Sequence, residues 1–155
     1  MVHNARILVV DDDEVIRDTL ALLLEQEGYV VDKAENGKEA VAKSYSNFYN
    51  LAIIDWRLPD IEGTKLLGEL KPTVPKMAKI MLTGFPSMNN AVDAVNNRAD
   101  AFFLKPMDFE ALLRKIKDLL KEQEEARRYS EEKITQFIET KAREIMQTQN
   151  IKQPH

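Results

Sequence analysis

Cysteine is absent from the 155 residues. That excludes disulfides, thiol nucleophiles and cysteine-held zinc. Histidine is almost absent: His3 and His155 stand near the two ends, so a histidine-ligated metal is not expected. Long hydrophobic runs are missing too, the longest unbroken aliphatic stretch being Leu20 to Leu24. Nothing approaches a signal-peptide core or a membrane span, and a cytoplasmic protein is expected. A basic excess is also lacking, with 22 Lys and Arg against 26 Asp and Glu and a formal charge of -4. A generic nucleic-acid binder is therefore disfavoured. There is no internal repeat and no low-complexity segment. What is present is ordinary globular composition, 44% apolar and 31% charged, long enough for one full core and short for two.

Short apolar runs alternate with helical periodicity. Ile7 to Val10, Leu51 to Ile54, Ile80 to Leu82 and Ala101 to Leu104 are too short for helices and apolar on both faces. Such runs suit parallel strands covered on both sides. Tyr29 to Lys33 ends in polar residues and reads as an edge strand. Ile16, Leu20, Leu23 and Leu24 repeat at helical spacing. Ala40, Val41, Ser44, Tyr45 and Phe48 do the same after an Asn36 cap, with Glu39 three residues on. A short helix follows Gly63 and stops before Pro72 and Pro75. A fourth follows Ser87, with Met88, Ala91, Val92 and Val95 on one face. A fifth follows the Asp108 cap, with Leu112, Leu113, Ile116, Leu119 and Leu120.

Five βα units with right-handed crossovers predict an α/β fold, a doubly wound parallel sheet. A barrel of eight such units needs roughly 200 residues or more and is excluded by length. The tail differs. Residues 121–133 are charged and nearly free of apolar side chains, and then Ile134, Phe137, Ile138, Ala142, Ile145 and Met146 form a stripe. The expected organisation is a domain over residues 1–120 and a charged helical extension over 121–155, serving as a linker or a dimerisation helix.

Open α/β sheets bind ligands beyond the carboxyl ends of their strands. Here those ends carry Asp11, Asp12 and Asp13, then Asp55, then Thr83 and Gly84, then Lys105 and Pro106. Singly, each has an ordinary structural explanation, and Asp13 reads as a helix cap. Together they put carboxylates, a hydroxyl and an ammonium on one rim. Clustered carboxylates raise one another's pKa, and a hard divalent cation with oxygen ligands, best Mg²⁺, removes the conflict.

Ile7-Leu-Val-Val-Asp-Asp-Asp13, Ile54-Asp-Trp-Arg-Leu-Pro-Asp60 with Gly63, Leu82-Thr-Gly84 and Leu104-Lys-Pro106 stand in order and at matching spacing. In these motifs the chain resembles the receiver domain of two-component response regulators, over residues 6 to 120. The resemblance implies a flavodoxin-like strand order, 2-1-3-4-5. It implies Asp55 as the phosphoacceptor, taking a phosphoryl group from a histidine kinase or phosphotransfer protein. Asp12 would bind Mg²⁺ directly, Asp11 through water, and the backbone carbonyl of Arg57 would be a further ligand. Lys105 would pair with phosphoryl oxygens, and Thr83 would donate its hydroxyl to one. Thr83 and Phe102 would form the switch, and the bond before Pro106 would be cis. The implied protein is a phosphorelay switch, not an enzyme beyond phosphotransfer to itself and slow dephosphorylation. It would signal to a downstream protein or output domain, and form a homodimer if the tail pairs.

Some positions depart from the pattern. Arg98 replaces the usual Gly, with Asn96 or Asn97 able to close the fourth helix instead. Phe102 is a switch aromatic without a hydroxyl. Bulky Phe85 would shield the acyl phosphate. Three other readings compete. A receiver-like interaction module would have lost the acidic residues, which are intact. A Mg²⁺-dependent phosphohydrolase would need an aspartate where Arg57 stands. A transcription factor would need a helix-turn-helix region or a basic patch after residue 120.

Overall fold

The computed structural model describes residues 4–84, 96 and 99–152. The chain divides into two compact units, residues 1–123 and 124–155. The first is built on β1 (Arg6–Val10), β2 (Val30–Ala34), β3 (Leu51–Asp55), β4 (Ala78–Thr83) and β5 (Ala101–Leu104), all parallel and ordered β2-β1-β3-β4-β5. The expected fold and strand order are those observed.

Strand periodicity sorts the core into two layers, because alternate side chains leave a sheet on opposite faces. Ile7, Val9, Leu51, Ile53, Ile80 and Leu82 pack on α1 (Glu14–Gln26) through Leu20 and Leu24, and on the C-terminal helix through Leu112, Ile116 and Leu120. Leu8, Val10, Ala52, Ile54 and Met81 face the other way. They meet Ala40 of α2 (Gly37–Ser46) and Leu66 and Leu67 of α3 (Gly63–Glu69). Each fully buried aliphatic side chain contributes roughly 1.5–3 kcal/mol.

The run Ala101 to Leu104 was expected to be covered on both faces. It is only partly buried, with Leu104 exposed, at the sheet edge that the strand order gives it. Phe102 and Phe103 alternate as strand residues should, one packing on each layer.

The predicted caps are in place. Asp13 Oδ1 accepts from the backbone N–H of Val15 at 2.9 Å and Ile16 at 3.2 Å. Asn36 Oδ1 accepts from Glu39 N at 2.8 Å, while the Glu39 carboxylate reaches back to Glu35 N at 3.2 Å. Asp108 Oδ1 accepts from Glu110 N at 3.0 Å. After α1, Gly28 turns the chain with φ 96°, a left-handed conformation that glycine adopts without a Cβ penalty.

The helix expected from Ser87 to Val95, and with it Phe85, Asn97 and Arg98, lies outside the described residues; Asn96 is helical and exposed. The tail continues the last helix, which runs Phe109–Lys152 without a break. No helix among the described residues is long and apolar enough to cross a membrane.

Candidate functional site

The hydrogen-bonded ladder continues past two strands. Asp11 N donates to Ala34 O at 3.1 Å, and Lys105 N donates to Thr83 O at 2.7 Å. Asp11 therefore extends the Ile7–Val9 side of β1, Asp55 ends the Leu51–Ile53 side of β3, and Lys105 extends the Ala101–Phe103 side of β5. Strand alternation sends all three toward the same face. This is the local reason why side chains 44 and 50 residues apart along the chain converge.

The convergence is tight. Carboxylate oxygens of Asp11, Asp12 and Asp55 lie within 4.8 Å of one another. Lys105 Nζ bridges two of these residues, 2.9 Å from Asp11 Oδ2 and 3.3 Å from Asp55 Oδ1. Asp11 and Asp55 are buried, and Asp12 stands exposed at the mouth. The second Asp11 oxygen accepts from Asp13 N at 2.9 Å.

Electrostatics follow from this geometry. Burial pushes the Asp55 carboxyl up and the Asp11 charge adds to it, against the pull of Lys105, so that its pKa rises from 3.8 to about 6. Burial works against the Lys105 ammonium, but its bonds and charge interactions with Asp11 and Asp55 outweigh burial and hold its pKa above the ordinary value. Between pH 3.8 and about 6, the folded chain keeps a proton on Asp55 that the unfolded chain has released. Stability from this group is therefore expected to fall as pH rises through that window, by roughly 1–3 kcal/mol. Urea unfolding in chelator, wild type minus Asp55→Asn, measures it.

The other expected site residues fall around this centre. Thr83 is buried at the end of β4. The backbone N–H of Arg57 bonds the Asp55 carboxylate, and the Arg57 side chain is exposed. Phe102 pairs in register with Met81 and packs on the layer that faces α2 and α3. The peptide before Pro106 is cis, as is an unanticipated one before Pro75.

The sequence reading missed three supporting residues. Arg17 Nη1 donates to the Asp11 carbonyl at 3.0 Å, yet on a polar helix face nothing distinguishes it from its neighbours. Asp60 accepts from Gly37 N at 2.8 Å and Lys38 N at 2.9 Å. These bonds tie the loop after Asp55 to the start of α2 and hold the Asp60 carboxyl below its usual pKa. Gly63 donates its N–H to Trp56 O at 2.7 Å. A Cβ there would collide with the Asp55 carbonyl oxygen and stand 2.7 Å from Met81 Cε, so the loop closes only around glycine. Asp60 finds its partners 23 and 22 residues earlier, whereas Gly63 closes on Asp55 and Trp56 of its own motif.

Residues 7–117 match the family described as the response regulator receiver domain. The chain belongs to that family. A response regulator receiver domain protein, CheY-like, from Methanospirillum hungatei JF-1 is 46% identical, with 79% of this chain and 98% of that chain covered and a TM-score of 0.75. The transcriptional regulatory protein ResD of Bacillus subtilis is 33% identical, with 77% of this chain and 49% of the relative covered. A response regulator from Burkholderia pseudomallei, solved with a phosphorylated aspartic acid, calcium ion and citrate, is 34% identical. There 71% of this chain and 65% of that chain are covered, with a TM-score of 0.65. Across the curated relatives, the chain spans between 24% and 53% of their length. The receiver domain is thus a two-component signalling switch, and its acidic pocket fits a phosphoacceptor site.

Proposed function

We propose that Asp55 accepts a phosphoryl group from the phosphohistidine of a sensor kinase or phosphotransfer protein. The observation that supports this most is one cation, Lys105, bridging Asp11 and the buried Asp55 beside exposed Asp12.

An Asp55 carboxylate oxygen forms the new bond to phosphorus. The phosphorus–nitrogen bond of the donor breaks, and the departing imidazole nitrogen is reprotonated. The product is an acyl phosphate on Asp55. Transfer gathers negative charge on the equatorial oxygens, and the Lys105 ammonium, 3.3 Å from the nucleophile, is placed to neutralise it without reorganising. Thr83 supplies a hydroxyl to one phosphoryl oxygen.

The three carboxylates brought together offer only oxygen, which suits a hard cation, and the Arg57 carbonyl would add a further oxygen. Asp12 and Asp55 would hold Mg²⁺ directly and Asp11 through water. Bound there, Mg²⁺ supplies charge neutralisation to the transferred group.

The extra charge on phosphorylated Asp55 draws Thr83 toward it, and the space this frees is entered by Phe102. That is a local charge change with a packing readout. The activity is that of a signalling switch acting on itself, with slow loss of the phosphoryl group. Its target is a downstream protein or an output domain such as the longer relatives carry. The phosphatase alternative has no support from this geometry, since Arg57 stands where an acid/base carboxylate is needed.

Acetyl phosphate as donor, with intact-mass detection, tests the proposal. A single phosphoryl adduct that requires Mg²⁺ is expected. No adduct at any Mg²⁺ concentration would leave an interaction module with the chemistry lost.

A further inference from the structure

The second unit, residues 124–155, is described as one helix to Lys152. Several of its charges pair along the helix itself. Arg127 pairs with Glu124 and Glu131, Arg143 with Glu139, and Lys141 with Glu144. Its apolar side is left open: Ile134, Phe137, Ile138, Ile145 and Met146 are each 59–64% exposed. An isolated helix gains little from propensity alone, and most helical stability comes from covering such a face.

The charges on this face select the cover. On a seven-residue repeat, the inward positions are Glu131, Ile134, Ile138, Lys141, Ile145 and Thr148, alternating at spacings of three and four. A second copy laid parallel and in register would set Glu131 against Glu131 and Lys141 against Lys141, two like-charge layers among six. A copy laid antiparallel, with its two-fold axis between Glu139 and Thr140, removes both clashes. Ile134 then meets Ile145 of the second copy, Ile138 meets Lys141, and Glu131 meets Thr148. The face is self-complementary in that orientation, as a two-fold interface requires.

Lys141 fits the arrangement. Its ammonium is 3.3 Å from Glu144 of its own helix and 5.7 Å from the centre of the Phe137 ring. The charge is thus held at the margin while the aliphatic stem covers the opposing isoleucine.

We propose that residues 131–148 pair antiparallel with the same segment of a second copy of this chain. The pairing is independent of the phosphoryl chemistry proposed for Asp55.

Because the full chain lacks cysteine, introduced thiols report the pairing without background. Three full-length variants are compared under mild oxidation: Ile134→Cys, Ile145→Cys, and the double Ile134→Cys/Ile145→Cys. The double variant is expected to form a covalent dimer, and each single variant to form no crosslink. In sedimentation equilibrium the wild type should associate with rising concentration, and Ile138→Glu should not. Lys141→Ile should associate more tightly in the same antiparallel register. Crosslinking of single Ile134→Cys to the level of the double variant would mean parallel pairing and would overturn the proposal. So would a wild-type chain that stays monomeric at every concentration.

Discussion

Asp55→Asn is expected to abolish the phosphoryl adduct completely while making the metal-free fold more stable above pH 6. The two effects have one origin. The buried Asp55 carboxylate is costly to charge, because burial and the neighbouring Asp11 oppose its ionisation more than Lys105 assists it. Asparagine resembles the protonated acid in shape and hydrogen bonding. It removes the proposed nucleophile and the unfavourable charge together. A buried ionisable group whose charge is disfavoured by its surroundings is the kind of group that candidate chemical sites present. Intact-mass analysis after acetyl phosphate treatment reads the first effect, and urea midpoints in chelator at pH 5 and pH 8 read the second. Asparagine should flatten the dependence that Asp55 imposes between those two conditions. A variant that loses the adduct but unfolds more readily at pH 8 would contradict the electrostatic account and leave only the chemical one.

Lys105→Met should be damaging in both respects. The ammonium is the shared partner of Asp11 and Asp55, and its side chain is only 16% exposed. Removing one member of a buried ion cluster strands the others. A loss of about 3 kcal/mol is expected, since the carboxylates remain desolvated without a counter-charge. Asp55 also loses the charge that lowers its pKa, so it holds its proton to higher pH. Phosphorylation should slow by about 10²- to 10³-fold, the effect expected from deleting one preorganised charge at a developing oxyanion. Mg²⁺ should restore part of the lost stability, because a cation held by the same carboxylates compensates the same charge. Urea unfolding with and without Mg²⁺, and the rate of adduct formation, measure the three effects. Equal stability of the variant and wild type in chelator would show that Lys105 does not carry the cluster.

Much of this architecture is legible in the sequence, because each strand and cap is signalled by residues close together. The run Ile7 to Val10 followed by Asp11, and Asp13 three residues before Ile16, are local patterns with local causes. The site is legible for a related reason. Parallel strands in a doubly wound sheet present their carboxyl ends on one side, so reading which residues follow each strand amounts to reading the rim. The partners of the loops were hidden. Asp60 caps a helix that begins 23 residues earlier, and Arg17 braces the Asp11 carbonyl from a face that looks merely solvated. Neither contact leaves a periodic trace. The partial exposure of β5 leaves no trace in its own composition, since Ala101 to Leu104 is as apolar as the central strands; its edge place follows from the strand order that the family resemblance implies. Lys105 lies 2.9 Å from Asp11 and 3.3 Å from Asp55, so its one positive charge is shared between two carboxylates that are 44 residues apart in the chain.

The most direct measurement is the chemical identity of the phosphorylated residue. Borohydride reduces an acyl phosphate to an alcohol, so an aspartyl phosphate becomes homoserine and fragmentation of the peptide locates it. After Mg²⁺-dependent phosphorylation, the account predicts homoserine at position 55 and at no other carboxylate. Label at Asp11 or Asp12 instead, or a phosphoryl group that survives borohydride unchanged, would contradict it.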